Sequence, residues 1–203
     1  LDFQDWTAIW HMETFKSNPI ATHSHNDFGS LVLFKNGREV IIDSGRLDYE
    51  NTDISKYGLH HTSHTNISLD GYPLTLSARD YLFPSSYVHA KNSVYFQEEE
   101  DKCSMTIKHL GFTRIPGKIT SYSREFIFYK GHVEIGDQID GKGEYLLDTY
   151  FQLPMNGEFI IEFNSSYEDF SHQSLQESMN PLGGWRSRSY GKLEASITEK
   201  YSK

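Results

Sequence analysis

The sequence predicts an all-β protein, one antiparallel β-sandwich of two large sheets. Short runs rich in Val, Ile, Tyr, Phe and Thr recur along the chain, with Tyr and Phe numbering 13 each. Such residues suit a pleated, half-buried surface. Turn chemistry separates the runs: "KNG", "DG", "EED", "IPG", "YKGH" and "DGKGE". The spacing of about ten residues between turns is that of a sandwich or barrel.

In chain order the strand candidates are "SLVLF", "EVIID", "TNISLDG", "NSVYFQE", "CSMTIKHL", "YSREFIFYK", "HVEIGDQI", "YLLDTYFQL", "EFIIEF" and "KLEASITEKY". Helical turns are expected only in the first dozen residues and in "SSYEDFSHQSLQES" (165–178). "QEEED" (97–101) reads as a solvated hairpin tip. No internal repeat or low-complexity linker divides the chain, so residues 1–203 are expected to form a single domain.

Bulk properties exclude several classes. The net charge of -9 at pH 7 argues against a nucleic-acid binder, which needs basic surface to neutralise phosphate. No apolar run approaches the roughly 18 residues of a membrane span. The single cysteine, Cys103, forbids an internal disulfide and reads as a buried thiol in a strand. The chain begins at Leu1 rather than methionine, as an excised piece would.

One stretch carries chemistry: "THSHNDFGSLVLFKNGREVIIDSG", from Thr22. In an extended segment residues i and i+2 share a face, so His23 and His25 look the same way. Two imidazoles on one face either share a metal or divide labour; otherwise they are surface residues of an edge strand. Asp43 ends the second strand of the following hairpin, where a carboxylate returns beside the first. His60, His61 and His64 follow, so five of the ten histidines fall between residues 23 and 64. Two histidines, an aspartate and an open position are zinc-like chemistry. Asn26, Asp27 and Asn66 are candidates to hold the second ring nitrogens.

These residues resemble the C-terminal β-sandwich domain of the heparinase II/III-like polysaccharide lyases. The family pattern is H-x-H-x-D, a hairpin, an apolar run ending in Asp-x-Gly, a tyrosine, and a His-Asn-Thr-like segment closing on Asp-Gly. Here "HSHND", "VIIDSG", Tyr49 and "SHTNISLDG" stand in that order. "SREFIFYKGHVEIGDQIDGKGEYLLDTYFQLP" and "GGWRSRSYGK" are looser matches. The resemblance implies that His23 faces a substrate cleft and that His25, Asp43 and His64 bind a structural zinc. It makes Tyr49 a cleft tyrosine with a catalytic role. Tyr57 and Arg124 become substrate-binding residues, Arg124 towards a carboxylate. Two positions depart from the pattern: the triplet is permuted to His64-Thr65-Asn66, and Gln152 stands where a histidine is often found.

A lyase acting on uronic acid removes the C5 proton and expels the 4-linked oxygen, with the carboxylate charge screened and an acid and a base beside the ring. The resemblance implies that an N-terminal α-helical toroid supplies the rest of the site. The expected partners are that toroid and an acidic polysaccharide, in a bacterial periplasmic or cell-surface pathway. The chain alone is then expected to be inactive. Heparan, alginate and capsule polymers all remain open as substrates.

Other readings fit less well. A cupin needs a glutamate about four residues after the second histidine, where Gly29 stands. An amidohydrolase needs the helices of a βα barrel. A non-catalytic carbohydrate-binding or structural sandwich is the serious rival, given Trp6, Trp10 and Trp185; sugar binding that survived His23→Ala and chelation would favour it.

The hairpin makes its own demand. A clean two-residue Asn36-Gly37 turn places Asp43 opposite Ser30, on the face away from His25. The spacing therefore predicts a three-residue loop, or a bulge between the turn and the histidines.

Overall fold

The computed structural model describes residues 1–12, 25–75, 93–157, 160–162 and 170–203. His23 and Ser24 lie outside the described residues. Alternating burial sets most of the strands. In β1 (Asp2–Phe3) and β2 (Trp6–Trp10), Phe3, Trp6 and Ala8 point inward while Thr7 and Ile9 face out. The helical turns expected in the first dozen residues are therefore strands. A period of two buries these apolar side chains better than one helical stripe would. With β3 (Leu31–Lys35) and β4 (Arg38–Ile41) they form a four-stranded antiparallel sheet, β1-β2-β3-β4.

A short helix, α1 (Asp53–Tyr57), follows, capped by the Thr52 hydroxyl, which accepts from Ser55 N. A 3-10 turn covers His61–Ser63. Then come β5 (Ile67–Leu69) and β6 (Tyr72–Pro73), joined by Asp70-Gly71. The four long strands β7 (Ser93–Glu98), β8 (Lys102–His109), β9 (Lys118–Tyr129) and β10 (Val133–Lys142) make the second sheet, order β10-β9-β8-β7. β11 (Leu147–Leu153), β12 (Ser171–Gln176) and β17 (Ile197–Ser202) complete the third, β12-β17-β11-β5-β6. Between them lie two ribbons, β13 (Ser178–Met179) with β14 (Leu182–Gly183), and β15 (Trp185–Ser189) with β16 (Lys192–Ala195). "SHQSLQ", expected as helix, is thus strand β12 pairing along β17, while 165–169 lie outside the described residues. Residues 160–162 of "EFIIEF" carry no strand. Among the described residues no helix is long and apolar enough to cross a membrane.

The fold is an all-β antiparallel sandwich, as predicted, with one layer divided. The first and third sheets are stitched together where Ile42 N donates to Gln152 O at 2.9 Å. One apolar cluster draws on all three sheets, with Leu31, Leu33, Ile67, Leu69, Met105, Ile107, Phe126 and Phe128 among its members. Trp10 meets Phe126 and Phe128 edge to face at 5.5 and 5.8 Å, a favoured aromatic geometry. Cys103 is fully buried, as expected.

The hairpin resolves its register by a bulge. Lys35 pairs with Arg38 across Asn36 and Gly37, whose φ values of 50° and 73° suit a two-residue type I′ turn. The three-residue loop does not form. Instead Phe34 faces Glu39 while Leu33 faces Ile41, leaving Val40 as the extra residue of a bulge. Val40, Ile41 and Ile42 are consequently all buried, and the register beyond them shifts by one.

Candidate functional site

The site gathers where the hairpin, the 61–66 segment and the 25–30 segment meet. Asp43 leaves the hairpin with its Oδ1 accepting from Gly45 N at 2.7 Å, a local turn closed by the side chain. Gly45 has φ 65°, and a Cβ there would lie 2.3 Å from Ser187 O. The "DSG" motif thus lets the β15 strand pass against the loop, where Ser187 N donates to Ser44 O at 2.7 Å. The other Asp43 oxygen sits 2.7 Å from His64 Nδ1. His64 is fully buried, and its Nε2 has no hydrogen-bond partner among the described residues.

His25 lies against His64, ring centroids 5.6 Å apart and 28° between planes. Its Nδ1 is 3.7 Å from Asp27 Oδ2, while the other Asp27 oxygen meets His11 Nδ1 at 2.6 Å. One donor atom each from His25, Asp27 and His64 lies within 4.8 Å of the others. Two imidazoles and a carboxylate at that separation are a donor set that fits zinc. The buried, unpartnered Nε2 of His64 gives an independent reason to expect something bound there.

Electrostatics tie the group together. Burial alone would raise the Asp43 carboxyl, but the charge and hydrogen bond of His64 and the Gly45 N–H hold it down at about 2. Burial likewise opposes a charge on His64, and Asp43 outweighs it, so the imidazole is raised. His25 is lowered, first by burial and then by His64. Burial would raise Asp27 too, but the His11 bond and the nearby imidazoles hold it below the usual carboxylate range.

Beneath these residues runs a buried polar layer. Gln152, on β11, donates through Nε2 to Thr62 O at 2.8 Å and accepts from Thr198 Oγ1 at 2.7 Å. Ser44 Oγ reaches the same Gln152 oxygen at 3.4 Å. Asn66 Nδ2 donates to Asn26 O at 3.1 Å, which pins the 26–28 loop, and Thr65 N donates to Ser30 Oγ at 3.2 Å.

Of the residues expected in the site, the structure brings together His25, Asp43 and His64. It places Tyr49 on the surface, 55% exposed, beneath the Arg46 guanidinium. Tyr57 is buried, and its hydroxyl lies 3.1 Å from Thr198 Oγ1. Arg124 does not face a cleft: it is 2% exposed and bound at two points by Asp137, at 2.7 and 2.8 Å, with Nη1 donating to Thr65 O. The reason is strand parity, because Tyr122, Arg124, Phe126 and Phe128 share the inward face of β9. A buried ion pair that also props up the 65 carbonyl is a scaffold for the site. Asp27 was expected only as a supporting residue. Residues 25–30 form no strand, so spacing along the chain gave no rule for its placement.

This geometry defines an antiparallel sandwich carrying a histidine–carboxylate cluster at the junction of its two stitched sheets. The chain belongs to the heparinase II/III-like C-terminal family, whose model matches residues 4–201. Heparan sulfate lyase HepC from Pedobacter heparinus superposes with a TM-score of 0.69 at 13% identity, over 97% of this chain and 30% of that one. A heparinase III, the BT4657 gene product, gives 0.65 at 16% identity, with 97% and 30% covered. A further heparinase III structure gives 0.60 at 14%, covering 89% of this chain and 28% of its own. The chain thus spans under a third of the length of these proteins, and the likeness is one of fold. No curated protein matches the sequence.

Proposed function

We propose that this chain is the β-sandwich part of a bacterial polysaccharide lyase that cleaves a uronic-acid-containing polymer by β-elimination. The observation that carries the reading is the convergence of His25, Asp27 and His64, with Asp43 on His64, in a chain of this family. In the reaction a base takes the C5 proton, the C5–H electrons form the C4=C5 double bond, and the C4–O bond breaks as the leaving oxygen is protonated. His23, two residues before His25, supplies an imidazole at the cleft, and Tyr49 a phenol near it. An N-terminal helical toroid supplies the remaining groups, in the periplasm or at the cell surface. Heparan sulfate, the substrate named for HepC, is the first polymer to test.

The same reading includes one zinc ion, held by His25 and His64 with a carboxylate. When bound it fixes the loops beneath the cleft. Asp43 is either a direct ligand or the carboxylate that orients His64 from Nδ1 while Asp27 closes the ligand set. The buried Nε2 of His64 favours the second arrangement. On that arrangement Asp43→Asn weakens zinc binding about 10–100-fold, whereas Asp27→Ala removes it; the reverse order would make Asp43 the ligand.

The deciding experiment incubates the full-length protein with heparan sulfate and with alginate and follows the ultraviolet absorbance of the unsaturated product. Product from the wild type and none from His23→Ala is expected. No unsaturated product from any uronate polymer, with zinc bound, would sink the proposal. The 203-residue chain alone is expected to give none.

A further inference from the structure

Three arginines of the described structure are neutralised: Arg124 by Asp137, Arg186 by Glu39 and Arg188 by Glu194. Arg46 is different. Its guanidinium carbon stands 3.8 Å from the centre of the Tyr49 ring, and its Nε donates to Asp48 O at 2.9 Å. Among the described residues no carboxylate lies within ion-pair distance of it. The stacking occupies one face and the Asp48 carbonyl takes Nε, and among the described residues the two terminal nitrogens make no hydrogen bond, which leaves them as a fork. That fork matches a carboxylate or sulfate at two points.

Tyr190 completes the surface. Its ring lies 6.1 Å from that of Tyr49, with 32° between planes, and the two side chains are 69% and 55% exposed. The β15–β16 turn that carries Tyr190 is fastened to the Arg46 loop, Gly191 N donating to Leu47 O at 2.8 Å. The same loop begins at Asp43, three residues before Arg46, which holds the two Cα atoms within about 11 Å of each other.

We propose that Arg46, Tyr49 and Tyr190 form a subsite for an acidic sugar residue beside the histidine cluster. The Arg46 fork takes the anionic group, and the exposed Tyr190 ring beside Tyr49 offers a face on which the axial C–H groups of the sugar pack. The inference rests on the polysaccharide reading above for the kind of polymer and adds where this chain would grip it.

Calorimetric titration of the 203-residue chain with an alginate tetrasaccharide, a heparan sulfate tetrasaccharide and neutral cellotetraose tests it. Alginate offers carboxylates alone, and heparan sulfate both carboxylate and sulfate. Arg46→Gln is expected to weaken acidic binding about tenfold, with Arg46→Lys recovering only part. Loss with both probes identifies the carboxylate as the group held, and loss with heparan sulfate alone identifies the sulfate. Tyr190→Ala, remote from Asp43, weakens binding severalfold at an unchanged melting temperature, and it carries the test if Arg46→Gln fails to fold. Wild-type affinity in both Arg46→Gln and Tyr190→Ala would overturn the subsite and leave the lyase reading standing. So would a failure of both acidic probes to bind, or equal binding of cellotetraose. The unsaturated product formed by the full-length protein decides the lyase reading separately.

Discussion

The interior has two characters. Between the β7–β10 sheet and the β1–β4 sheet it is apolar, built from Leu31, Leu33, Met105, Ile107, Phe126 and Phe128. Under the histidine cluster it is polar, and Ser44, Thr65, Asn66, Gln152 and Thr198 are each at most 2% exposed. The apolar part stabilises through area and accepts many arrangements of similar volume. The polar part requires each donor to meet its acceptor, so it accepts essentially one. The protein thus separates what holds the sheets together from what fixes the site.

Substitutions on either side should divide accordingly. Phe126→Ala is expected to cost the most, about 3–5 kcal/mol, read as a lower denaturant midpoint. The folded fraction should keep the zinc proposed for the site; metal loss would show that the two parts are not separable. Gln152→Ala is expected to cost about 2–3 kcal/mol, because Thr62 O and Thr198 Oγ1 lose their buried partner. Here zinc should be lost on dialysis, and retention at wild-type affinity would remove Gln152 from the support of the site.

Acid sharpens the contrast. His61 is buried against Tyr150, and burial, followed by His60, His64 and Lys200, pushes its pKa down to about 3 from 6.5. The neutral form is the native one, so its stability is complete above pH 6.5. Below that the unfolded chain takes up a proton that the native chain refuses. Up to about 1.4 kcal/mol is lost per pH unit, until the folded pKa near 3 is reached. At pH 5 the gap between wild type and His61→Phe should narrow by about 2 kcal/mol relative to pH 7. Parallel denaturation midpoints at the two pH values would contradict the assignment. The smallest effect belongs to Gly37→Ala, about 1 kcal/mol from the positive φ alone, with zinc affinity unchanged.

The long strands were legible because alternation in "SREFIFYK" and "CSMTIKHL" is unambiguous. The same alternation, applied to Arg124, already places it inward with Phe126 and Phe128. The hairpin showed that a one-residue shift was needed, but not the device. Asn36 and Gly37 prefer a tight turn, so the extra residue moved to Val40, which no local preference singles out. Gln152 was hidden for another reason: β11 is buried on both faces from Asp148 to Gln152, and parity carries no signal there. The partners of Gln152 come from segments far away in the chain, beyond any local pattern.

That distance has a consequence for synthesis. Ser44 waits for Gln152, 108 positions later, and Tyr57 for Thr198, 141 positions later. A chain made from its N-terminus at roughly 5–20 residues per second displays His25, Asp43 and His64 for on the order of ten seconds before β17 exists to lock the layer beneath them. During that interval the partners that fix their loops are absent, so a site whose residues are made early is completed among the last parts of the molecule.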